Sequence, residues 1–221
     1  IIEGPNQIRL QGFEKVIQFK PHQLETKWSL KNNTNPKSLH IHWVIPNFTP
    51  GLGGHMTIFR TIDYLERCGH QCTIWVHSEL KGNDKPSRLS YLHKRVIDQY
   101  FIPLQTDQVY LLGNQQEDLD RISGDVVIAT DRMSTYPVLG MKKFQKRFYF
   151  VQDYEPYFFV KGSSSILTEL SYESENNFSC ICASPWLKQK MESFGNPAIS
   201  FPLAVDHSVY HPDDNLSLIH I

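Results

Sequence analysis

An α/β fold, a parallel sheet with helices on both faces, is predicted by three features of this 221-residue chain. Short, nearly all-apolar runs such as LHIHWVI (Leu39 to Ile45), CTIWVH (Cys72 to His77) and DVVIAT (Asp125 to Thr130) recur along it. Between them lie stretches whose apolar residues fall at helical spacing, such as Leu92, Val96, Ile97 and Tyr100. Strands that are apolar on both sides of the pleat must be covered on both faces, as parallel strands joined by crossover helices are. The third feature is a glycine-rich turn, Pro46 to Gly54, that leads from the first strand into the first helix.

Taken in order, residues 1–37 are mixed and polar, with Pro5, Pro21 and Pro36, and read as an extended arm ending in the linker KNNTNPKS. Residues 38–203 form the α/β domain. Its first strand, Leu39 to Ile45, feeds the loop Pro46 to Gly54 and an amphipathic helix, His55 to Arg67. Cys72 to His77 is β-branched and aromatic, hence a second strand. SELKGNDKPS is loop, Ser90 to Tyr100 helix, Gln108 to Leu112 a short strand and Asp125 to Thr130 a stronger one. Thr135 to Lys143 reads as helix, since Pro137 falls in a first turn, where its missing N–H does no harm. Phe148 to Gln152 is strand, Ser163 to Tyr172 helix and Phe178 to Ala183 strand. Ser184-Pro185 is a helix start, and Gly195 and Pro197 stop that helix after Phe194. AISFPLAVD supplies a last strand, and residues 204–215 leave it as a proline-flanked exit.

The totals exclude several functions. A net charge of −1 without a dense basic block argues against nucleic acid as partner. No stretch approaches the ~20 apolar residues of a membrane span. The four cysteines, Cys68/Cys72 and Cys180/Cys182, lack the spacing of a closed zinc site and read as buried reduced thiols, which favours a cytosolic protein. Both ends read as incomplete. The chain opens on Ile1, and its last six residues, LSLIHI (216–221), back-translate naturally to CTGTCTCTTATACACATC, a string that resembles a transposase sequencing adapter. The reading frame is therefore expected to leave its own gene near Asn215.

In a parallel α/β sheet, ligands sit beyond the carboxyl ends of the strands, near the point where strand order reverses. Three of those ends carry polar chemistry: the glycine loop, Thr130-Asp131-Arg132 and Gln152-Asp153-Tyr154-Glu155-Pro156. Gly51, Gly53 and Gly54 remove Cβ atoms at a helix start, where unpaired backbone N–H groups and the positive end of the helix await an anion. The same loop is one residue away from a dinucleotide fingerprint, with Met56 where the third glycine would stand and Glu79 placed as a ribose acid. It also reads as a plain tight turn. Asp153 and Glu155 flank Tyr154 and suit sugar hydroxyls, with the tyrosine offering a stacking face; the acids equally suit capping the next segment. His55 can meet a phosphate or an acceptor hydroxyl, or remain a surface residue. His40 and His42 share a face of the first strand, and two ligands do not make a metal site. No GxSxG nucleophile elbow is present.

Three stretches, IHWVIPNFTPGLGGHMTIFRTIDYLERCGHQCTIWV, FYFVQDYEPYFF and FPLAVDHSVYHP, together resemble the amino-terminal half of two-domain (GT-B type) retaining glycosyltransferases of family 4. The resemblance is nearest to bacterial surface-glycan rhamnosyltransferases and covers about Leu39 to Pro212. It implies a Rossmann-like domain facing a second one across a cleft, with residues 204–215 as the interdomain hinge. It places Gly53 and Gly54 near the donor diphosphate or sugar, with His55, Thr130, Asp131, Gln152 and Tyr154 as further binding residues and Asp153 and Glu155 as catalytic candidates. The nucleotide contacts would come from a carboxyl-terminal domain missing here, so this piece alone is not expected to turn over.

The function expected is transfer of a sugar, L-rhamnose from dTDP-rhamnose, to a growing bacterial surface polysaccharide. The nucleotide-sugar donor is a substrate, no cofactor or metal is expected, and the acceptor is a glycan or lipid-linked glycan. Location is expected in the cytoplasm, with at most peripheral association at the inner membrane face. Two alternatives stay open: an NAD(P)-dependent oxidoreductase using the near-fingerprint at Gly51, and a non-catalytic glycan-binding or scaffold module.

Overall fold

The computed structural model describes residues 38–77, 86–113 and 115–203. The arm 1–37, Glu79, the hinge 204–215 and the terminal 216–221 lie outside the described residues. The described strands are β1 (His40–Pro46), β2 (Gln71–His77), β3 (Arg88–Leu89), β4 (Val109–Leu111), β5 (Ser123–Ala129), β6 (Lys143–Val151), β7 (Ser179–Cys182) and β8 (Ala198–Ser200). They form one sheet in the order β3-β4-β2-β1-β5-β6-β7-β8. Every pairing is parallel except β3 with β4. The helices are α1 (Gly53–Arg67), α2 (Tyr91–Tyr100), α3 (Gln116–Leu119), α4 (Thr135–Gly140), α5 (Ser163–Leu170) and α6 (Pro185–Ser193). The result is an α/β, Rossmann-like sheet.

Alternation along the strands sends side chains into two cores. On β1, Ile41, Trp43 and Ile45 enter one core with Ile58, Phe59 and Ile62 of α1 and Ile97 of α2. Val44 enters the other, with Val127 and Ala129 of β5 and Leu187 and Met191 of α6. Trp43, Val44 and Ile45 have no solvent exposure at all, which is why this strand reads as continuously apolar. The chain winds from β1 through β2 to β4 on one side, and from β5 through β6 and β7 to β8 on the other. The reversal of order therefore falls between β1 and β5.

Most predicted elements stand within two residues of their expected bounds. At α6, Ser184 Oγ accepts the Leu187 N–H at 3.1 Å and Pro185 opens the helix, as the sequence predicts. Helix α4 is shorter than expected, ending at Gly140, because Lys143 to Arg147 belong to β6. Those residues read as polar, yet the ladder with β5 (Ser123↔Lys143, Gly124↔Phe144) holds them extended. Strand β3, two residues long, carries no periodic signal. All four cysteines are free; Cys68, expected buried, is exposed at the carboxyl end of α1. Burial pushes the Cys72 thiol up to about 12, with Glu66 adding to the effect.

His40 and His42 do share a face, their ring centroids 4.2 Å apart. His42 Nδ1 accepts the Trp75 indole N–H at 2.9 Å, and burial, with His40 adding, lowers its pKa to about 3, so it is neutral. The His42 ring occupies the space over Gly124, where an added Cβ would stand 2.9 Å from both His42 and Phe144. Gly124→Ala is therefore expected to cost about 1–3 kcal/mol by overpacking. Gly53→Ala, whose added carbon meets nothing within 4 Å, should change stability by less than about 0.5 kcal/mol. Urea denaturation of both variants checks this, and an unaltered midpoint for Gly124→Ala would refute the packing argument.

Candidate functional site

Four strands deliver their carboxyl ends to the reversal between β1 and β5, and hydrogen bonds tie those ends together. The Thr130 hydroxyl, just after β5, donates to the Val44 carbonyl of β1 at 3.0 Å. The Asn47 N–H donates to the carbonyl of His77, the last residue of β2, at 3.0 Å. The His77 Nε2–H in turn reaches Asp131 Oδ1 at 3.0 Å. Asp131 also caps its own turn: Oδ1 accepts the Ser134 N–H and Oδ2 the Met133 N–H, each at 3.1 Å. The Arg132 N–H, next along, donates to both oxygens of Glu155 beyond β6, at 3.1 and 3.2 Å. The Tyr149 hydroxyl donates to Glu155 Oε1 at 3.2 Å.

The two carboxylates of this belt sit in different electrostatic surroundings. Burial pushes Asp131 up, but the His77 ring, the Ser134 contact and the Met133 N–H outweigh it and hold the group below its ordinary value. Glu155 goes the other way. Burial first, and then the charge of Asp131, raise it to about 7 against the opposing pull of Arg132 and Tyr149. Near neutral pH the belt thus holds one ionised acid beside one poised to keep its proton, the arrangement by which neighbouring carboxyls take separate roles.

The glycine loop leaves β1 at the same carboxyl edge of the sheet. Gly51 has φ +89°, a conformation that favours glycine, and the turn then delivers Gly53 and Gly54 as the first residues of α1. Leu52, the cap residue, makes no side-chain cap, so the first N–H groups of the helix receive no help from that side chain. An added Cβ at Gly53 would meet open space, and one at Gly54 would stand 3.5 Å from the Gln152 side-chain amide. The loop after β1 and the loop after β6 therefore face each other, with the carboxamide of Gln152 and an open helix end between them.

The remaining predicted residues are placed differently. His55 is buried, its Nε2–H bonded to the Pro46 carbonyl at 3.1 Å and its ring 5.1 Å from Phe48, so its side chain clamps the loop from inside. Burial lowers its pKa, against the pull of the Pro46 bond, and keeps it neutral. Thr130 spends its hydroxyl on Val44. Tyr154 is buried, donates its hydroxyl to Glu169 at 2.7 Å and stacks on Tyr172, so its face is turned into the core. Asp153 is exposed and accepts the N–H of the adjacent Tyr154 at 2.7 Å, and the turn Glu155–Phe158 that follows has no side-chain cap. Asp153 and Glu155 thus have different partners, and no described contact joins them. His77 is the member that sequence reasoning missed; its signal was its place as the last residue of an apolar strand. Among the described residues no cluster of three or more His, Cys, Asp or Glu side chains could hold a metal, and no helix is long and apolar enough to cross a membrane.

Because Glu155 holds its proton in the folded state up to about pH 7 but releases it near 4.5 when unfolded, its contribution to stability is fully present below 4.5. It is lost as pH rises through 7. Stability should fall by about 1–3 kcal/mol between pH 5 and pH 8 from this group, and Glu155→Gln should flatten that slope. Urea midpoints across the range test it; the same slope in both proteins would clear Glu155 of the effect.

No family model and no solved structure matches the chain. Over 174 residues, the chain is 28% identical to the O-antigen biosynthesis protein RfbC of Myxococcus xanthus. The match takes in 77% of this chain but spans only 13% of the length of that relative.

Proposed function

We propose that the chain is the amino-terminal, Rossmann-like half of a glycosyltransferase acting in bacterial surface-polysaccharide biosynthesis. The reading rests on one observation above all: at the reversal of strand order, the glycine-opened start of α1 lies against the Gln152 carboxamide, whose nitrogen would stand 3.5 Å from a Cβ at Gly54, while a Cβ at Gly53 would meet nothing within 4 Å. A helix end without a side-chain cap suits an anion, and a carboxamide suits sugar hydroxyls. The similarity to an O-antigen biosynthesis protein supports a place in surface-polysaccharide biosynthesis. A donor such as dTDP-rhamnose and a glycan or lipid-linked glycan acceptor fit this site.

The reaction breaks the bond between the anomeric carbon and the leaving nucleoside diphosphate and forms one from that carbon to an acceptor oxygen. The acceptor proton passes to the departing phosphate, so no protein base is obligatory, and stabilising the growing phosphate charge is the main task. In this chain the N–H groups of Gly53 and Gly54 would serve that charge, while Gln152 would hold the transferred sugar. His77, Asp131 and Glu155 act one step back by fixing the loop ends, with the ionised Asp131 kept from substrate by its own bonds. The remaining nucleotide contacts and the opposite wall of the cleft are assigned to a facing carboxyl-terminal domain. A metal and a cofactor have no part in this scheme.

In the intact protein, replacing Gly53 and Gly54 together with valine places branched side chains at the open helix start. Transfer from dTDP-[14C]rhamnose to an isolated surface glycan should fall by at least about 100-fold, the scale of a misplaced reacting group. The melting temperature should stay nearly constant, since both positions are exposed, a Cβ at Gly53 meets nothing within 4 Å and one at Gly54 meets only the end of the Gln152 side chain. Unchanged turnover would remove the loop from the site. Stabilisation by NAD(P) with no response to nucleotide sugars would favour a dehydrogenase instead.

A further inference from the structure

Beyond this crevice, the geometry points to Tyr157 and Trp186 as a stacking platform for the pyranose rings of a bound glycan, a ligand class that rests on the glycosyltransferase reading. Both rings are open to solvent, Tyr157 72% and Trp186 50% exposed. They are nonetheless held in place. Each stands nearly edge-on to the buried Tyr154 ring, Tyr157 at 4.8 Å and 82° and Trp186 at 6.2 Å and 89°. Tyr154 is itself pinned by its hydroxyl bond to Glu169 and by stacking on Tyr172 at 5.7 Å. The two exposed rings lie 6.4 Å apart at an angle of 32°, forming a shallow, tilted pair.

Their backbones are equally fixed. The Tyr157 N–H donates to the Tyr154 carbonyl at 3.0 Å, and Trp186 lies in the first turn of α6, capped by Ser184. Rings ordered before a ligand arrives lose little freedom on binding, which is how Tyr and Trp serve recognition surfaces. The two residues follow neighbouring strands, β6 and β7, at the same sheet edge as Gln152 and Glu155.

The chemistry around the pair selects a sugar. A pyranose offers C–H groups on its face and hydroxyls at its rim, so it needs an aromatic face with polar groups alongside. Lys190 Nζ stands 4.6 Å over the Tyr154 ring and the exposed Asp153 carboxylate adjoins that residue. Phe158 in the same turn and Val160 just after it are exposed, which makes a lipid surface the rival occupant. Charge opposes it: besides Glu155, which is poised to keep its proton, residues 153–194 carry five carboxylates, Asp153, Glu169, Glu173, Glu175 and Glu192, against three lysines. A segment of that balance is repelled by an anionic bilayer.

The test is made on the intact protein by isothermal titration with a synthetic rhamnose trisaccharide. Tyr157→Ala and Trp186→Ala should each weaken binding by about 5-fold, Trp186→Phe should keep most of it, and melting temperatures should not change. Equal affinity in all variants, or no binding by the wild type, overturns the platform. So does binding to phosphatidylglycerol vesicles that the alanine variants lose. Release of rhamnose from dTDP-rhamnose to water reports the transferase chemistry separately. Its absence would sink that reading alone and leave the trisaccharide titration to judge the platform.

Discussion

The parallel pairing of β1 with β5 is the constraint on which the rest of this structure depends. These two strands lie side by side although the chain leaves them in opposite directions, toward β2 on one side and β6 on the other. Their connections therefore separate at the carboxyl edge, the place where sheets of this kind leave a crevice. The Thr130 hydroxyl seals the floor of that crevice by bonding the Val44 carbonyl, so the loops above it start from a fixed base. Every other feature of the site is arranged relative to that seam.

Above the seam, electrostatics and geometry cooperate. Asp131 binds the His77 ring and caps its own turn, while Glu155 takes the Arg132 N–H, so hydrogen bonds from side chains and backbone together join four strand ends. Such a belt holds loops in place without lengthening the strands, and leaves one face free for a ligand. The glycine loop is held separately, by the His55 bond to Pro46 and by Phe48 packed among His55, Phe59, His93 and Phe101. The loop is thus anchored through buried side chains on one flank while its glycines stay open on the other.

The residues flanking Tyr154 show how tertiary packing can invert a sequence reading. As a string, Gln152 to Glu155 presents an amide, two acids and an aromatic ring at one strand end. In the fold, Tyr154 turns inward to Glu169 and Tyr172, Asp153 turns outward, and only Gln152 faces the glycine loop. Tyr157, two residues past that motif, and Trp186, on another element, carry the exposed aromatic faces instead. Their shared neighbour is the buried Tyr154, so the ring expected to stack on a ligand is the one that orders two others.

The amino-acid sequence by itself determined the class of fold, the glycine-opened helix start and the Ser184 cap, because each depends on local spacing: apolar runs, a glycine turn, a serine before a proline. It also put three polar motifs at the carboxyl ends of strands, where the structure has them after β1, β5 and β6. Only the tertiary structure decided which of those groups meet. The His77–Asp131 bond joins residues 54 positions apart, and the Gly54–Gln152 approach joins two more distant still. No local pattern encodes such distances; they follow from the order of strands in the sheet. The polar first half of β6 makes the same point, because a ladder with β5 can hold extended a segment whose own residues express no preference for it.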